Sequence, residues 1–484
     1  MDQIDPLDAI IGLEIHAQMN TRTKMFCGCS NDAYGVPPNT LICPICTGHP
    51  GTLPVPNREA IFKAIRMALA LHCTVQEHCH FDRKHYFYPD LPLGFQISQY
   101  DFPLARSGVV QYDIIDHSGN ATSSHECRIH RLHIENDAGK LTHRGTHTLC
   151  DFNRAGTPLM EIVTEPDLGS ARHAVAFAQE LRRMLIAAHA SDADMFKGMM
   201  RFDASISLRE KGSTVLNPRS EIKNLNSFKA LEQALTYEEK RLRLVWEKEG
   251  GPLHHNITVG WLDDEGKTRL LRDKEEAADY RYFPEPDIPP MHFTRKDIQA
   301  LQKDLPPPPR EQKEALIKLG LTHSEARELI DEPQLRLRFD AIFKKTADAK
   351  RSSGIILTQL QGFLNAAEKN VADAPPLEHL LELVEHIDNG TVSANTGKEI
   401  LQKMVETGKP PSAIIKSEGL ENITDDRALE AIIQQAIAAN PQAIDSLKKG
   451  KEAALGAIVG WVMKESKGKA DPRKVSDLLK KILK

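Results

Sequence analysis

The sequence predicts an α+β fold: an N-terminal domain built on a largely antiparallel sheet, followed by all-α domains. Three observations predict it. Up to about residue 290, short β-like runs and helical stretches alternate irregularly. The run Pro284-Glu285-Pro286-Asp287-Ile288-Pro289-Pro290 then breaks the pattern, because proline can neither donate to a ladder nor continue a helix. Beyond a second break at Pro306–Pro309, almost every segment has helical periodicity. A chain of 484 residues exceeds one ordinary core. The breaks, with a hinge at Gly408-Lys409-Pro410-Pro411, divide it into residues 1–292, 293–407 and 408–484.

In chain order, Ile10–His16 is the first strand-like run, and Val109–Ile115, Pro158–Val163, Ser205–Leu208 and Asn256–Trp261 follow. Arg58–Leu71 carries Ile61, Ile65, Ala68 and Leu69 on one helical face. Ser170–His189 repeats the pattern behind an N-cap serine, and Phe228–Glu249 ends at Gly250-Gly251. Helices are then expected at Glu311–Leu319, Ser324–Ile330, Pro333–Lys345, Ile355–Val371, Leu377–Ile387, Asn395–Glu406 and Leu429–Ala438. Two more close the chain. Leu455, Ile458, Val459 and Val462 make one stripe; Val475, Leu478, Leu479, Ile482 and Leu483 make the other, behind an Asp471-Pro472 start.

Composition bounds the class. Apolar residues at 40% and charged residues at 27% describe a water-soluble globular chain. The acidic start MDQIDPLDAI lacks a signal-peptide n-region, and no apolar run reaches bilayer length, so a cytoplasmic location and no membrane are expected. The net charge of −5 does not advertise nucleic-acid binding. From Ser446 onward, however, 11 Lys and Arg face 4 Asp and Glu, a local +7 that leaves −12 on the rest. That tail is either a polyanion contact or a solvated helix face.

Two groups of residues point to metal chemistry. Glu161 sits in the apolar frame Pro158-Leu159-Met160-Glu161-Ile162-Val163, and a carboxylate there is costly unless something positive meets it. Glu14 and His16 share a strand face in Ile10–His16, and Glu135 lies in the charge-dense turn His133–Lys140. Any one such glutamate is ordinarily an edge residue or an ion-pair partner. Together Glu14, His16, Glu135 and Glu161 suit a hard cation such as Mg²⁺. The second group is Cys27-Gly28-Cys29 and Cys43-Pro44-Ile45-Cys46. Two close pairs in a Pro/Gly-rich loop suit tetrahedral, structural Zn²⁺ better than four free thiols, with Gly28, Gly35 and Gly48 permitting tight turns. Cys73, Cys79, Cys127 and Cys150 show no pairing pattern and are expected to be buried.

Other signals stay open. Arg83 and Lys84, within Phe81–Pro92, either meet a phosphate beside a stacked base or are solvated cations on an aromatic mini-core. Asp203, Ser205, Ser207 and Arg209 share one strand face, facing solvent or a polar cleft. Asp279–Pro284 is a further cation–aromatic cluster. There is no P-loop, dinucleotide fingerprint or nucleophile elbow, and Lys464–Lys467 matches a synthetase signature only faintly. Gly145 argues against a zinc-binding helix at His143–His147.

Longer blocks carry a resemblance. IGLEIHAQ, CPICTGHPGTLPV, FDRKHYFYPDLPLGFQISQY, HIENDAGK, DFNRAGTPLMEIVTEPD, EIKNLNSF, DYRYFPEPDIPP and VGWVMKESKGKADP resemble the B subunits of the glutamyl/aspartyl-tRNA amidotransferases, from Ile10 to Lys484. The resemblance implies a cradle domain (1–292) related to the glutamine-synthetase fold, a helical domain (293–407) and a tRNA-binding tail (408–484). It implies ATP-dependent conversion of mischarged Glu-tRNA(Gln) or Asp-tRNA(Asn) to the amidated form. Glu14, His16, Glu135 and Glu161 are then the catalytic Mg²⁺ positions, Arg83 and Lys84 the nucleotide or acyl-phosphate contacts, and Cys27, Cys29, Cys43 and Cys46 the zinc ligands. Ammonia is to come from an amidase-type A subunit, with a small C subunit completing a heterotrimer. One departure stands out: Asn136 follows Glu135 where that family usually has a second glutamate. The residues alone also fit a non-catalytic RNA-binding scaffold or a small-molecule carboxylate–amine ligase.

Overall fold

The computed structural model describes residues 6–116, 119–273, 280–422, 426–448, 453–466, 470 and 472–482. The N-cap reading of Asp471, and Asp279 and Lys467 of the two short clusters, lie outside the described residues. The chain forms two compact units, Met1–Gln312 and Lys313–Lys484.

The first unit runs β1 (Leu7–Gln18), α1 (Arg58–Ala70), β2 (Thr74–Val75), β3 (His78–Cys79), β4 (Asp82–His85), β5 (Phe95–Ser98), β6 (Ala105–Ile115) and β7 (Ala121–Asn136). It continues with β8 (Lys140–Arg144), β9 (His147–Asp151), β10 (Pro158–Thr164), α2 (Ala171–Ala187), β11 (Met200–Glu210), β12 (Ser220–Leu225) and α3 (Phe228–Glu249). β13 (Ile257–Leu262), β14 (Lys267–Asp273), β15 (Phe283–Pro284), β16 (Met291–His292) and α4 (Arg295–Lys303) complete it. Nine strands make one sheet in the order β14-β13-β12-β11-β1-β10-β7-β6-β2. It is antiparallel except where β12 meets β13, as the largely antiparallel expectation had it.

Strand alternation gives this sheet two unlike faces. In β1, Leu13, Ile15 and Ala17 are at most 1% exposed, and Glu14 and His16 point the other way. Met160 and Ile162 of β10, Leu132 and Ile134 of β7, and Phe202 and Ala204 of β11 share the apolar side. The helices cover that side with Ile61, Ile65 and Ala68 of α1, Phe177 and Leu181 of α2, and Leu231 and Ala234 of α3. The helix starts follow their caps: Asn57 accepts from the Glu59 and Ala60 amides, and Ser170 from His173. Gly250, at φ 73°, stops α3. The other face is polar. The small sheet β15-β4-β5 packs along the end of β7 and walls one side of it.

Several expectations change. His133–Asn136 is strand rather than turn, because β7 keeps its pairing with β10 to the Pro158–Asn136 position. Ser205–Leu208 is the middle of the longer β11. Phe81 is buried but Phe87 is 86% exposed, so Phe81–Pro92 is not one aromatic core. Cys73, Cys79 and Cys127 are buried, whereas Cys150 is only half-buried. His143 and His147 lie on the β8–β9 hairpin, with Gly145 in its turn at φ 56°.

Every described element of the second unit is a helix. Its apolar residues form two clusters, one from Leu316 to Ile415 and one from Leu429 to Leu479. The helix expected at Ile355–Val371 is displaced: Ala349–Ser353, a π-type stretch Gly354–Leu360 and Gln361–Ala366 run on without a break. Ile458 and Val462 meet Val475 and Leu479 in the last cluster, as the two stripes predict. No described helix is long and apolar enough to cross a membrane.

Candidate functional site

Register brings the distant acids together. His16 of β1 lies opposite both Arg201 of β11 and Glu161 of β10, and Glu161 lies opposite His133 of β7. Directly opposed residues share a sheet face, with Cβ atoms roughly 4.5–5.5 Å apart. Arg201, His16, Glu161 and His133 therefore form one row across four strands, and Glu135 stands one pleat along, opposite Leu159. His16 Nε2 is 3.3 Å from Glu161 Oε2 and 3.7 Å from Glu135 Oε1. His133 Nε2 is 3.3 Å from Glu161 Oε2, and Ser98 Oγ donates to Glu135 at 3.2 Å.

The electrostatics follow from this crowding. Burial opposes the imidazolium form of His16, but the hydrogen bond to Glu161 and the charges of Glu161 and Glu135 outweigh it and lift the group to about 9. Burial likewise opposes ionisation of Glu161, and the imidazoles of His133 and His16 outweigh it, holding that carboxyl well below the usual range.

Glu14 belongs to a second group two residues along β1. It lies opposite Asp203, and burial first, then the charges of Glu161, Asp203 and Glu221, push its carboxyl up. Lys223 Nζ binds Asp203 at 2.8 Å and Glu221 at 2.7 Å. Both groups open into one cavity of about 1410 Å³. Donor atoms of His16, Glu135 and Glu161 all lie within 4.8 Å of one another, a set that fits a hard divalent ion. Glu14 is near this set without being part of it.

Lys84 and Arg83 separate, because neighbours in β4 face opposite ways. Lys84 enters the cavity, its Nζ 4.9 Å from the Tyr280 ring centre. Arg83 faces away, forked onto Glu285 at 2.7 and 2.8 Å and bound to Asp287 at 3.1 Å. Asn136 also faces away: its Oδ1 accepts from the Ile97 amide at 2.8 Å. The departure at this position therefore leaves the acid cluster untouched.

Sequence reasoning missed His133, Asp137, Arg201 and Arg131. His133 carried a signal, sitting two residues before Glu135 and so on its face. Asp137 is buried and accepts from Arg201 Nη2 at 2.9 and 3.0 Å, and lies 3.4 Å from Arg154 Nε. Burial raises its carboxyl, but the charges of Arg201 and Arg154 prevail and hold it below the usual range. Arg131 borders the cavity, over the Tyr100 ring at 5.9 Å, and its buried Nε has no hydrogen-bond partner among the described residues.

The four cysteine sulfurs Cys27, Cys29, Cys43 and Cys46 also lie within 4.8 Å of one another. The Cys43 amide donates to Cys46 Sγ at 3.2 Å. A hydrogen bond with Cys27, then the Cys43 backbone and the charge of Lys24, bring Cys46 down to about 5 against burial. Only Cys46 is drawn toward the thiolate: the bond to Cys46 and burial push the Cys27 thiol up, and burial pushes Cys29 up to about 11. Four sulfurs this close together fit a tetrahedral soft-ligand metal. Gly48 takes φ 70° and Gly35 φ 72°, while Gly28 is not left-handed. A Cβ at Gly48 would meet Pro92 O at 2.9 Å.

Residues 9–299 match the family model described as GatB/GatE catalytic domain, and residues 337–483 match one described as GatB domain. The chain is 41% identical to the B subunit of the aspartyl/glutamyl-tRNA(Asn/Gln) amidotransferase of Persephonella marina, covering 99% of each chain. The corresponding protein of Thermotoga maritima is 41% identical over 98% of each. Another relative of the same description, from Clostridium acetobutylicum, is 42% identical over 98% of this chain and 99% of its own.

Proposed function

The chain belongs to the family of aspartyl/glutamyl-tRNA(Asn/Gln) amidotransferase B subunits, and from that premise we propose that its cavity activates the side-chain carboxylate of a mischarged Glu-tRNA(Gln) or Asp-tRNA(Asn) with ATP. The single observation that supports this best is the His16–Glu161–His133 row with Glu135, open to a cavity large enough for a nucleotide and an aminoacyl end.

A carboxylate is a poor acyl donor because its leaving group is oxide. Its oxygen attacks the γ-phosphorus of ATP, ADP leaves, and ammonia then displaces phosphate from the acyl phosphate to give the amide. Phosphoryl transfer depends on alignment and charge neutralisation. Glu135, Glu161 and His16 would hold Mg²⁺, with Glu14 offering a carboxylate from the second group, and the ion would supply that neutralisation. Glu161 keeps its carboxylate ionised between two imidazoles. Lys84 and Arg131 present cations to the same cavity, and Asp137 fixes the Arg201 guanidinium in place at its floor. Arg83, turned away onto Glu285, braces β4 and leaves the phosphate role to Lys84.

The remaining assignments form part of the same reading. Residues 1–292 are a glutamine-synthetase-like cradle, 293–407 a helical domain and 408–484 the tRNA-binding tail. The cysteine centre holds structural Zn²⁺. A glutaminase of amidase type, the A subunit, supplies ammonia, and a small C subunit completes the cytoplasmic assembly. The test is transamidation of each mischarged tRNA by the reconstituted complex. Amide product that requires ATP and charged tRNA is expected; product without ATP, or from free glutamate, overturns the reading.

A protonated imidazole cannot ligate a metal. Binding of Mg²⁺ is therefore expected to expel the His16 proton, and affinity should rise with pH until about 9. Calorimetry in two buffers of different ionisation enthalpy measures this. A wild-type binding heat independent of buffer counts against His16 as a ligand.

A further inference from the structure

Lys24 is 0% exposed, although a buried cation is costly unless every donor is met. Its three donors have three acceptors: Leu41 O at 2.8 Å, Phe152 O at 3.3 Å and Cys46 Sγ at 3.7 Å. Two of these are neutral carbonyls, and the third is a member of the cysteine centre. Four thiolates around a divalent ion carry a net charge of −2, and the sulfur beside Lys24 belongs to Cys46, the buried member of the four. The lysine is thus the countercharge the centre needs, already seated.

The same side chain spans two loops. The cysteine loop clasps the segment before the Phe152–Gly156 turn at several points. Asn39 Nδ2 donates to Cys150 O at 3.0 Å, the Phe152 amide donates to Asn39 Oδ1 at 2.8 Å, and the Leu41 amide donates to Asn153 Oδ1 at 2.8 Å. The next residue, Arg154, donates to Ala138 O at 3.0 Å and Gly139 O at 2.7 Å. Gly156 N donates to Asp137 O at 2.9 Å. A continuous path thus runs from Cys46 through Lys24 to the turn that holds Asp137, and so to Arg201 at the cavity floor.

We infer that Lys24 is the positioning residue of the cysteine centre: it balances the charge of the four thiolates and ties their metal to the Phe152–Gly156 turn. This rests on the metal reading above. Partners behind the ligands typically set metal affinity by 10–100-fold.

The experiment uses the full chain with Lys24→Met and Lys24→Arg, following zinc content, zinc release to a chelator, the thiolate charge-transfer band of the Co²⁺ form and amide exchange at Phe152–Gly156. Wild type and Lys24→Arg are expected to hold one zinc and release it at similar rates. Lys24→Met is expected to release it at least roughly ten-fold faster, with a shifted Co²⁺ band and raised exchange in the turn even with zinc bound. If Lys24→Met does not fold, Lys24→Gln keeps donors without charge and is expected to show the same faster release. Release, band and exchange equal to wild type in the neutral variant overturn the inference, as does Lys24→Arg behaving like Lys24→Met. A wild-type chain that carries no metal overturns the metal reading, and this inference with it.

Discussion

Glu161→Gln is expected to lower ATP-dependent amidation by about 10²–10³-fold, the usual cost of removing one charged group that stabilises a transition state. The variant keeps the size of the side chain, so β10 still pairs with β1 and β7, and tRNA binding should be unchanged. The loss should appear in kcat, because the carboxylate would act through the Mg²⁺ it helps to hold on the transferring phosphoryl group, rather than on tRNA contacts. The substitution also removes the hydrogen bond and charge that lift His16 to about 9, so the proton released on Mg²⁺ binding should fall with it. Single-turnover assays of ADP and amide formation, beside a tRNA-binding isotherm, separate these effects. Activity within a few-fold of wild type would remove Glu161 from the activating machinery.

Asp137→Ala should destabilise the first unit by about 3 kcal/mol, the low end for breaking a buried pair, because it strands a half-buried Arg201 cation without its partner. Arg201→Met added to Asp137→Ala should recover part of that loss, since an apolar pair no longer holds an unmatched charge out of water. The sign with pH is fixed by the depressed carboxyl. Asp137 contributes stability above its ordinary value of 3.8, and that contribution falls as pH drops through the lower folded value. The gap between wild type and Asp137→Ala should therefore be full at pH 7 and shrink below about pH 4. Urea denaturation across that range measures it. A gap that is small at pH 7, or that grows in acid, would rule out the pair as a stabilising contact.

Much of the molecule could be read from the chain because the relevant physics is local. Ser170 and Gly250 mark helix ends through their own hydrogen bonds and backbone preference, and the structure keeps those ends. The cysteine spacing works the same way: Cys27, Cys29, Cys43 and Cys46 are close in sequence and come together in space. The period-two alternation in Ile10–His16 also showed that Glu14 and His16 share a face.

Strand register was decided elsewhere. Which residue stands opposite His16 depends on how β1 slides against β10 and β11, and a shift of one residue would turn Glu161 into the core. Local pattern therefore grouped Glu14 with the other acids, while pairing moved it beside Asp203 and Glu221 and put His133 in its place at Glu161. The split between Arg83 and Lys84 has the same origin, since adjacent strand residues face opposite sides and only packing says which side is the cavity. Sequence alone determined the elements, their ends and the chemistry on offer. Tertiary pairing decided which charges meet, because electrostatic contacts depend on distances across strands that no single stretch encodes.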